Sequence, residues 1–270
     1  MPATLDGEVA IVTGAGRGFG RELALRIARE GAAVGLVSRT PGELQRVAAE
    51  IAAAGGRAAI AASDVIDREG VDAAVRTIEE ALGPVSLLVN NAGLDTPFGP
   101  IGHVDPDEWW TTVSIHVRGP LLFMSAVLPG MQARGRGHIV NIASLGGNVV
   151  EPNMSAYAVG KGAEIRLTQH VGAENKGKGI GVFAIEPGTA ITGMGQSTLD
   201  NPEARRWIPG GIAFLKAVQE AQRDPAVREA VFRRCGDMVV GLLSGRYDAL
   251  TGRYLEPQDD FDALLAEADG

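Results

Sequence analysis

Ser144, Tyr157 and Lys161 have side chains suited to acid–base chemistry and lie close together in the chain. Tyr157 and Lys161 are four residues apart, so on a helix they would project from the same face. A phenol normally has a pKa near 10, about three units too high for proton exchange at neutral pH. A fixed ammonium group one helical turn away would favour the phenolate and lower that pKa. Because Ser144 could bind the oxygen atom that the phenol protonates, the three residues predict a site that acts on a carbonyl.

The choice of lysine at position 161 supports this interpretation. Lys161 is the first lysine of the chain and follows twelve arginines. Arginine carries its charge on a broad planar group, whereas lysine offers a compact ammonium. A half-buried tyrosine beside an exposed lysine, with no shared function, is the alternative interpretation. We favour the catalytic one because an otherwise arginine-rich chain places a lysine here.

The composition is that of a soluble globular protein and argues against several classes of function. The 270 residues are 45% hydrophobic and 21% charged, and the net charge of −8 predicts no nucleic-acid partner. Cys235 is the only cysteine, which excludes an internal disulfide and a cysteine-based zinc site. The four histidines show no metal-ligand spacing, so no metal is expected. Without a signal peptide or a long apolar run, the chain is expected to be cytoplasmic and to have no membrane partner.

A glycine-rich turn near the start of the chain predicts a phosphate-binding loop. Residues 8–13 are typical of a short buried strand, and Gly14, Gly18 and Gly20 follow it directly. The free amide groups and the dipole at the N-terminus of the next helix would favour an anion. The generic dinucleotide pattern G-x-G-x-x-G is not matched, because position 19 is Phe19. A tight turn that uses glycine without binding a ligand is the alternative.

The end of the second predicted strand indicates which dinucleotide would be preferred. In a dinucleotide-binding fold, an acidic residue about 20 residues past the glycines accepts the ribose hydroxyls. This chain has Ser38 and Arg39 there instead. Arg39 suits a 2′-phosphate, and Arg17 in the glycine turn could provide a second contact. A surface arginine at the end of a strand is the alternative interpretation.

Strands and helices alternate along the chain with short connections. This alternation predicts an α/β fold with a doubly wound parallel sheet in a single domain, residues 1–270. Right-handed crossovers would place the ends of the strands along one edge, where ligands bind. Helical periodicity weakens over residues 193–224, which are rich in glycine and proline. We expect this segment to form a lid over the ligand edge.

The chain resembles the classical short-chain dehydrogenases/reductases over residues 5–192, because six motifs occur in the order and spacing of that family. They are Thr13-Gly14-x-x-x-Gly18-x-Gly20, Asp64-Val65, Asn90-Asn91-Ala92-Gly93, Ser144, Tyr157-x-x-x-Lys161 and Pro187-Gly188-x-x-x-Thr192. The resemblance implies a Rossmann-type sheet of about seven strands flanked by helices. It also implies hydride transfer between a nicotinamide cofactor and an alcohol or carbonyl carbon, and assembly as a homotetramer.

The resemblance also implies a role for each motif. Tyr157 would be the acid–base residue, Lys161 would bind the nicotinamide ribose and lower the pKa of the tyrosine, and Ser144 would orient the substrate oxygen. The other cofactor contacts would be Gly14, Arg17, Gly18 and Phe19 at the pyrophosphate, Asp64 and Val65 at the adenine, Asn91, Ala92 and Gly93 at the adenosine end, and Pro187, Gly188 and Thr192 at the carboxamide. Together with Ser38 and Arg39, these residues predict NADP(H) in preference to NAD(H).

His116 departs from the family pattern, in which an asparagine usually occupies this position on a long helix. In the family, that position supports a helix bulge whose carbonyl oxygen holds a water in a proton relay to the lysine. The imidazole could replace the hydrogen bonds of the usual amide, since one ring nitrogen donates and the other accepts. It could instead join the relay itself, because its unperturbed pKa lies near 7. A packed histidine with the relay rebuilt by water is the third interpretation.

These observations predict an oxidoreductase that transfers a hydride between NADP(H) and a ketone, an aldehyde or a secondary alcohol. A medium-sized apolar substrate is expected, because the segments expected to line the site carry Leu94, Phe98, Leu145, Val149, Met154, Met194 and Trp207. Two alternatives stay open. One is an NADP(H)-binding sensor or scaffold with little turnover, and the other is an epimerase or dehydratase that uses the cofactor transiently.

Overall fold

Strands and helices alternate through residues 4–268, the part of the chain that the computed structural model describes. The strands are β1 (Val9–Thr13), β2 (Ala33–Ser38), β3 (Ala58–Ala62), β4 (Leu87–Asn90), β5 (Gly137–Ile142), β6 (Ile180–Ile185) and β7 (Tyr254–Leu255). The helices are α1 (Gly18–Arg29), α2 (Pro41–Ala53), α3 (Arg68–Leu82), α4 (Pro106–Arg134), α5 (Ser155–Asn175), α6 (Gly193–Asp200), α7 (Pro202–Trp207), α8 (Pro209–Ala221), α9 (Pro225–Leu243) and α10 (Phe261–Ala268).

The seven strands form one sheet in the order β3-β2-β1-β4-β5-β6-β7, and all neighbouring strands run parallel. The chain moves outward in one direction from β1 to β3, and in the other from β4 to β7. In doubly wound sheets, ligands bind outside the carboxyl ends of the strands at this reversal. The predicted fold class is therefore confirmed: a doubly wound, Rossmann-type α/β domain with seven strands.

Helices cover both faces of the sheet, and each face has its own hydrophobic core. On one face, Leu23 of α1, Leu44 of α2 and Val239 of α9 pack against the strands. On the other, Ile78 of α3 and Phe123 of α4 do the same. Strands β1 and β6 are buried along their whole length, which explains why they consist of continuous apolar runs rather than alternating ones.

Helix α4 is the longest of the helices that the structure describes, with 29 residues. Asp105 caps its N-terminus by accepting a hydrogen bond from the Asp107 amide, and Gly135 ends it in the left-handed conformation with φ of 61°. The helix is long and apolar enough to cross a membrane by length and composition alone. Its residues Phe123 and Met124 lie in the core that the helix shares with the sheet. This packing is that of a core helix in a globular domain.

Strand β5 ends at Ile142, two residues before Ser144. Ser144 therefore lies in the following loop, where its side chain accepts a hydrogen bond of 3.1 Å from the Gly146 amide. The loop packs closely against α5, because a Cβ atom on Gly147 would lie only 2.7 Å from the carbonyl carbon of Lys161. The lack of a side chain at Gly147 thus lets the loop that bears Ser144 approach the helix that bears the lysine.

The segment 193–224, predicted to be irregular, consists mainly of helices α6, α7 and α8. Pro202 and Pro209 are the first residues of α7 and α8, a position where the missing proline N–H is not needed. Asn201 caps α7 by accepting a hydrogen bond of 2.8 Å from the Glu203 amide. The prolines therefore begin helices instead of preventing them.

These three helices contribute to a small hydrophobic core of their own. It consists of the buried residues Phe98, Leu199, Ala204, Ile208 and Ile212 and is separate from the two cores of the sheet. Whether the segment acts as a lid is a question of motion and stays a prediction.

The C-terminal segment forms a short strand and a helix. Strand β7 pairs with β6 through only two residues, Tyr254 and Leu255. Helix α10 docks on the domain because Phe261 packs edge-on against Tyr247, with ring centroids 5.4 Å apart. This end of the chain closes the sheet on the β6 side.

Candidate active site

A cleft of about 540 Å³ lies at the carboxyl ends of the strands, where β1 and β4 diverge. This volume is within the range of about 300–1,000 Å³ that is usual for small-molecule sites. All the residues that the sequence assigns to catalysis or to cofactor binding line this cleft. The six motifs, which are spread over 180 residues of sequence, thus meet in one place.

The glycine turn after β1 has a shape that a side chain would destroy. Gly14 and Gly18 have positive φ angles of 63° and 57°, which favour glycine. A Cβ atom on Gly20 would collide with the carbonyl oxygen of Gly14 and lie 2.5 Å from Asn91 Nδ2. Within residues 4–268, no side chain caps the N-terminus of α1 at Arg17. The first amide groups of α1 are therefore available to an anion, and the loop fits a dinucleotide phosphate.

Thr13 and Asn91 join the loops that follow β1 and β4. Thr13 Oγ1 accepts hydrogen bonds from the amides of Asn91 at 2.9 Å and Ala92 at 3.1 Å. In return, Asn91 Nδ2 donates to the carbonyl oxygen of Thr13 at 2.9 Å. These bonds fix the two sides of the crevice relative to each other.

The loop after β6 closes the pyrophosphate side of the cleft. A Cβ atom on Gly18 would lie 3.1 Å from Thr192 Cβ, and one on Gly193 would lie 3.3 Å from Arg17 Nε. The glycine turn and the segment that begins with Pro187 therefore touch across the opening. The side chain of Arg17 lies at this contact, next to Gly193.

The ribose end of the cleft carries both a cation and a carboxylate. The Arg39 side chain is 72% exposed and lies 3.8 Å from Asp64 Oδ2, which leaves it free to bind a ligand. Glu43, in the first turn of α2, was not identified from the sequence. A Cβ atom on Gly16 would lie 2.7 Å from Glu43 Oε2 and 3.4 Å from Ser38 Oγ. Glu43 thus lies over the glycine turn, beside the position expected for a 2′-phosphate.

Ser144 and Tyr157 face each other at the other end of the cleft. A Cβ atom on Gly146 would lie 3.1 Å from Tyr157 Cε1 and 3.5 Å from Ser144 Oγ, so both side chains surround this glycine. Burial raises the pKa of Tyr157, and the charges of Glu186, Asp95 and Glu164 add to this effect, while hydrogen bonding by Ser144 opposes it. The expected lowering of the pKa of Tyr157 is therefore not present in this structure, because burial and three carboxylates dominate.

Lys161 is almost completely buried, with 4% of its surface exposed. Its Nζ donates a hydrogen bond to the carbonyl oxygen of Ile142, at the end of β5. It also forms an ion pair of 2.8 Å with Glu164, a residue that sequence analysis did not identify. The interpretation of Lys161 as an exposed surface residue is therefore wrong.

His116 is completely buried beside Tyr157, with ring centroids 5.4 Å apart. Its Nε2 lies 2.7 Å from the carbonyl oxygen of Leu94, which assigns the ring proton to Nε2. Within residues 4–268, Nδ1 has no hydrogen-bond partner. Burial, followed by the charge of Lys161, holds the pKa of His116 well below its ordinary value. The imidazole is thus neutral and bound to the main chain. This arrangement is the one expected if the ring replaces the hydrogen bonds of the asparagine amide that is usual at this position.

Two further carboxylates near the tyrosine were also missed. Asp95 accepts a hydrogen bond from the hydroxyl of Thr198, and burial raises the pKa of Asp95. Glu186 accepts hydrogen bonds from the amides of Leu145 and of Gly188, the latter at 3.1 Å. Both acids follow the ends of strands, and that position was the only signal in the sequence. They make the catalytic end of the cleft acidic.

The apolar residues predicted to contact a substrate have different environments. Met154 and Met194 line the cleft, and Ile208, Phe214 and Leu215 from α8 and the loop before it join them. Phe98 lies in the small core behind the cleft wall. Leu145 and Val149 are each 46% exposed. Leu94 contributes its main chain to His116, and Trp207 binds Glu203 through its ring N–H.

Comparison with known proteins identifies the family. The model of the short chain dehydrogenases matches residues 8–203. A short chain dehydrogenase of Pseudocercospora fijiensis is 31% identical over 267 residues, which cover 98% of this chain and 84% of that protein. The 2-(S)-hydroxypropyl-CoM dehydrogenase 3 of Xanthobacter autotrophicus is 38% identical over 200 residues, which cover 74% of this chain and 78% of that protein.

A solved structure agrees over nearly the whole chain. The gluconate 5-dehydrogenase from Burkholderia cenocepacia, in complex with NADP and tartrate, is 29% identical and superposes with a TM-score of 0.78. The alignment covers 94% of this chain and 95% of that one. With the family match over residues 8–203 and the shared fold, the chain belongs to the short-chain dehydrogenases/reductases, a family of oxidoreductases.

Proposed function

We propose that this protein transfers a hydride between NADP(H) and an uncharged ketone, aldehyde or secondary alcohol. The observation that carries the proposal is one cleft with two distinct ends. One end has the glycine turn and the uncapped N-terminus of α1, which suit a dinucleotide. The other is lined by Ser144, Tyr157 and Lys161, which suit a carbonyl oxygen.

When bound, the cofactor supplies or accepts the hydride at the substrate carbon. Tyr157 donates its phenolic proton to the carbonyl oxygen during reduction and takes it back during alcohol oxidation. Ser144 Oγ accepts from the Gly146 amide, which leaves its hydroxyl proton free to bind the same substrate oxygen. Charge that develops on that oxygen is therefore stabilised from two directions. Lys161 provides the positive charge that favours the phenolate.

The preference for NADP(H) rests on Arg39 and Arg17. Arg39 is exposed at the end of β2, where an acidic residue would otherwise accept two ribose hydroxyls. Glu43 opposes the preference, because its carboxylate would repel a 2′-phosphate unless it rotates away. We therefore expect a moderate preference for NADP(H), and Glu43 limits it.

An uncharged substrate is favoured by the charges at the catalytic end. Asp95 and Glu186 both act on Tyr157 as negative charges, and the apolar side of the cleft is formed by residues such as Met154, Met194 and Phe214. A carboxylate-bearing substrate, comparable to the tartrate in the similar structure, would be repelled at this end.

Assembly as a homotetramer through α4 and α5 is part of the proposal. Trp110 and Leu121 on α4 are 61% and 46% exposed, and Val159 on α5 is 48% exposed. These side chains would be covered by a second copy of the same helices. A cytoplasmic location is likewise proposed, from the charge and composition of the chain. Light scattering of the purified protein tests the assembly.

A screen of NADPH oxidation tests the activity. The protein is mixed with NADPH and a panel of uncharged ketones and aldehydes, and each is matched with a carboxylate-bearing analogue of similar size. We expect turnover with several uncharged members and at least about tenfold lower kcat/KM for their charged partners. Binding of NADPH without turnover of any member would instead support a sensor or scaffold. A preference for the carboxylates would refute the proposed substrate class.

A further inference from the structure

Glu164 carries a buried carboxylate that the mechanism above does not use. It lies on α5 three residues after Lys161, and 1% of its surface is exposed. Its Oε2 is 2.8 Å from Lys161 Nζ, and the lysine is itself 4% exposed. Two ions this deeply buried lose their hydration, and their mutual attraction seldom adds net stability. The pair therefore has to be explained by something other than folding.

The surroundings of the pair hold the ammonium at one point. Lys161 Nζ donates to the carbonyl oxygen of Ile142 on β5 as well as to Glu164 on α5. The main chain of Glu164 is fixed in turn, because its carbonyl oxygen accepts a hydrogen bond of 2.9 Å from Thr168 Oγ1. Thr168 Oγ1 accepts one of 2.8 Å from Asn141 Nδ2 on β5. The lysine head group is thus held between the strand and the helix.

We propose that Glu164 is a positioning residue for Lys161. Its carboxylate fixes the lysine ammonium beside the Ile142 carbonyl oxygen. The position of the ammonium and the negative charge of Glu164 together influence how readily Tyr157 loses its proton. This inference rests on the proposed function and adds a further determinant of the same reaction.

Glu164 influences Tyr157 in two opposite ways. It holds the ammonium of Lys161, which lies one helical turn after Tyr157 on α5, and a fixed cation at that spacing favours the phenolate. Its own negative charge raises the pKa of Tyr157, as a smaller contribution than burial. The two residues are seven apart, or about 10 Å along the helix axis. At an effective dielectric constant of about 20, a charge at that distance shifts a titration midpoint by about one pH unit.

Glu164 itself is expected to change charge near neutral pH. Burial raises the pKa of Glu164 to about 7, and Lys161 opposes this rise. Tyr157 on the same helix and His116 on α4 are the titratable groups that interact with one member of the pair, and Asp95 after β4, Glu186 after β6 and Tyr254 on β7 surround Tyr157. Burial and then the charge of Lys161 keep the pKa of His116 well below its ordinary value, so the imidazole stays neutral over this range.

The first test is the pH dependence of alcohol oxidation, which requires the phenolate and therefore rises with pH. Glu164→Gln keeps an acceptor for the ammonium but removes the negative charge. We expect the midpoint of this rise to move about one pH unit lower, while kcat at high pH stays within about threefold. Glu164→Leu removes the acceptor as well, and we expect kcat to fall about 10- to 100-fold because the ammonium is displaced. An unchanged midpoint in Glu164→Gln would overturn the proposal.

Asn175→Ala is the matched control. Asn175 is another buried polar residue of α5, and its side chain binds Gln132 and the main chain of Val171, far along the helix from the lysine. Its removal should lower stability without moving the midpoint. If the midpoint shifted by the same amount in Asn175→Ala, loss of any buried polar contact in α5 would be enough to shift it. That result would also overturn the proposal.

A second test does not depend on turnover. The free energy of unfolding is measured at pH 8 for wild type, Glu164→Gln, Lys161→Met and the double variant. Because each single substitution leaves a buried partner uncompensated, we expect the double variant to lose less stability than the two singles together. Additive losses would refute the pairing. A wild type that binds NADPH but reduces no carbonyl would refute the proposed function alone, so the two proposals fail separately.

Discussion

The nucleotide end of the cleft is built mainly from main chain, whereas its catalytic end is built from buried side chains. At the nucleotide end, Gly14 and Gly18 give the turn its shape, and the first amides of α1 face the ligand. At the catalytic end, His116 and Lys161 are buried, and burial followed by the charge of Lys161 holds the pKa of His116 well below its ordinary value. Main-chain geometry leaves a glycine pattern in the sequence, but the charge state of buried groups depends on tertiary contacts.

The largest expected effect of a single substitution lies at the catalytic end. Tyr157→Phe removes only the phenolic proton, and acid–base participation is usually worth about 10²–10⁴-fold. We expect kcat to fall by that factor while the dissociation constant for NADPH, measured by fluorescence, stays within about twofold. A variant that kept more than about a tenth of the wild-type rate would show that another group is the acid.

A substitution in the glycine turn at the nucleotide end should weaken cofactor binding rather than slow the chemical step. A Cβ atom on Gly20 would collide with the carbonyl oxygen of Gly14 and push apart the turn that Asn91 supports. We expect Gly20→Ala to weaken NADPH binding at least about tenfold and to lower stability by about 1–3 kcal/mol. Titration with NADPH and chemical unfolding measure the two effects. Ala48, half-buried on α2, provides a control, since Ala48→Gly leaves the turn unchanged.

The ribose position is the one place where side chains decide binding at the nucleotide end. Arg39→Asp should weaken the binding of NADPH about tenfold or more, because a carboxylate replaces the cation beside the 2′-phosphate. The binding of NADH should be unchanged or stronger. Glu43→Gln should strengthen the binding of NADPH by a few-fold, because it removes the carboxylate that would repel the 2′-phosphate. Dissociation constants for both cofactors are compared in the three proteins. Equal constants for NADPH and NADH in the wild type would remove the basis for an NADP(H) preference.

The smallest effect is expected at His116. Its Nε2 is already bound to the Leu94 carbonyl oxygen, and an asparagine amide can make the same bond. His116→Asn should therefore keep most of the activity, with the pH–rate profile shifted by less than about one unit. Loss of an ionisation from that profile, together with hundredfold slower turnover, would make the imidazole a member of the proton relay.

Local sequence patterns predict main-chain features of the fold and the cleft better than they predict contacts between buried side chains. The strand–helix alternation, the glycine turn and the Tyr157/Lys161 spacing are local patterns, and they were sufficient to predict the sheet and part of the lining of the cleft. Glu43 and Glu164 each lie on an ordinary helix, and no local spacing sets them apart. Their roles depend on what α2 and α5 pack against, which the sequence does not show directly.

The helices α6 to α8 were missed for a different reason. Glycine and proline usually indicate loops, but Pro202 and Pro209 stand at first helical positions, where proline is favoured. The glycine and proline content of residues 193–224 therefore did not indicate these helices, because it does not show where in a helix each residue falls.

The separate small core of α6 to α8 has a consequence for protein engineering. Phe98, Leu199, Ala204, Ile208 and Ile212 support one wall of the cleft without belonging to either core of the sheet. This wall can be redesigned or exchanged with that of a related enzyme while the packing of the sheet is retained. Libraries restricted to residues 193–221 would thus vary substrate selectivity while the catalytic residues and the dinucleotide loop are inherited unchanged.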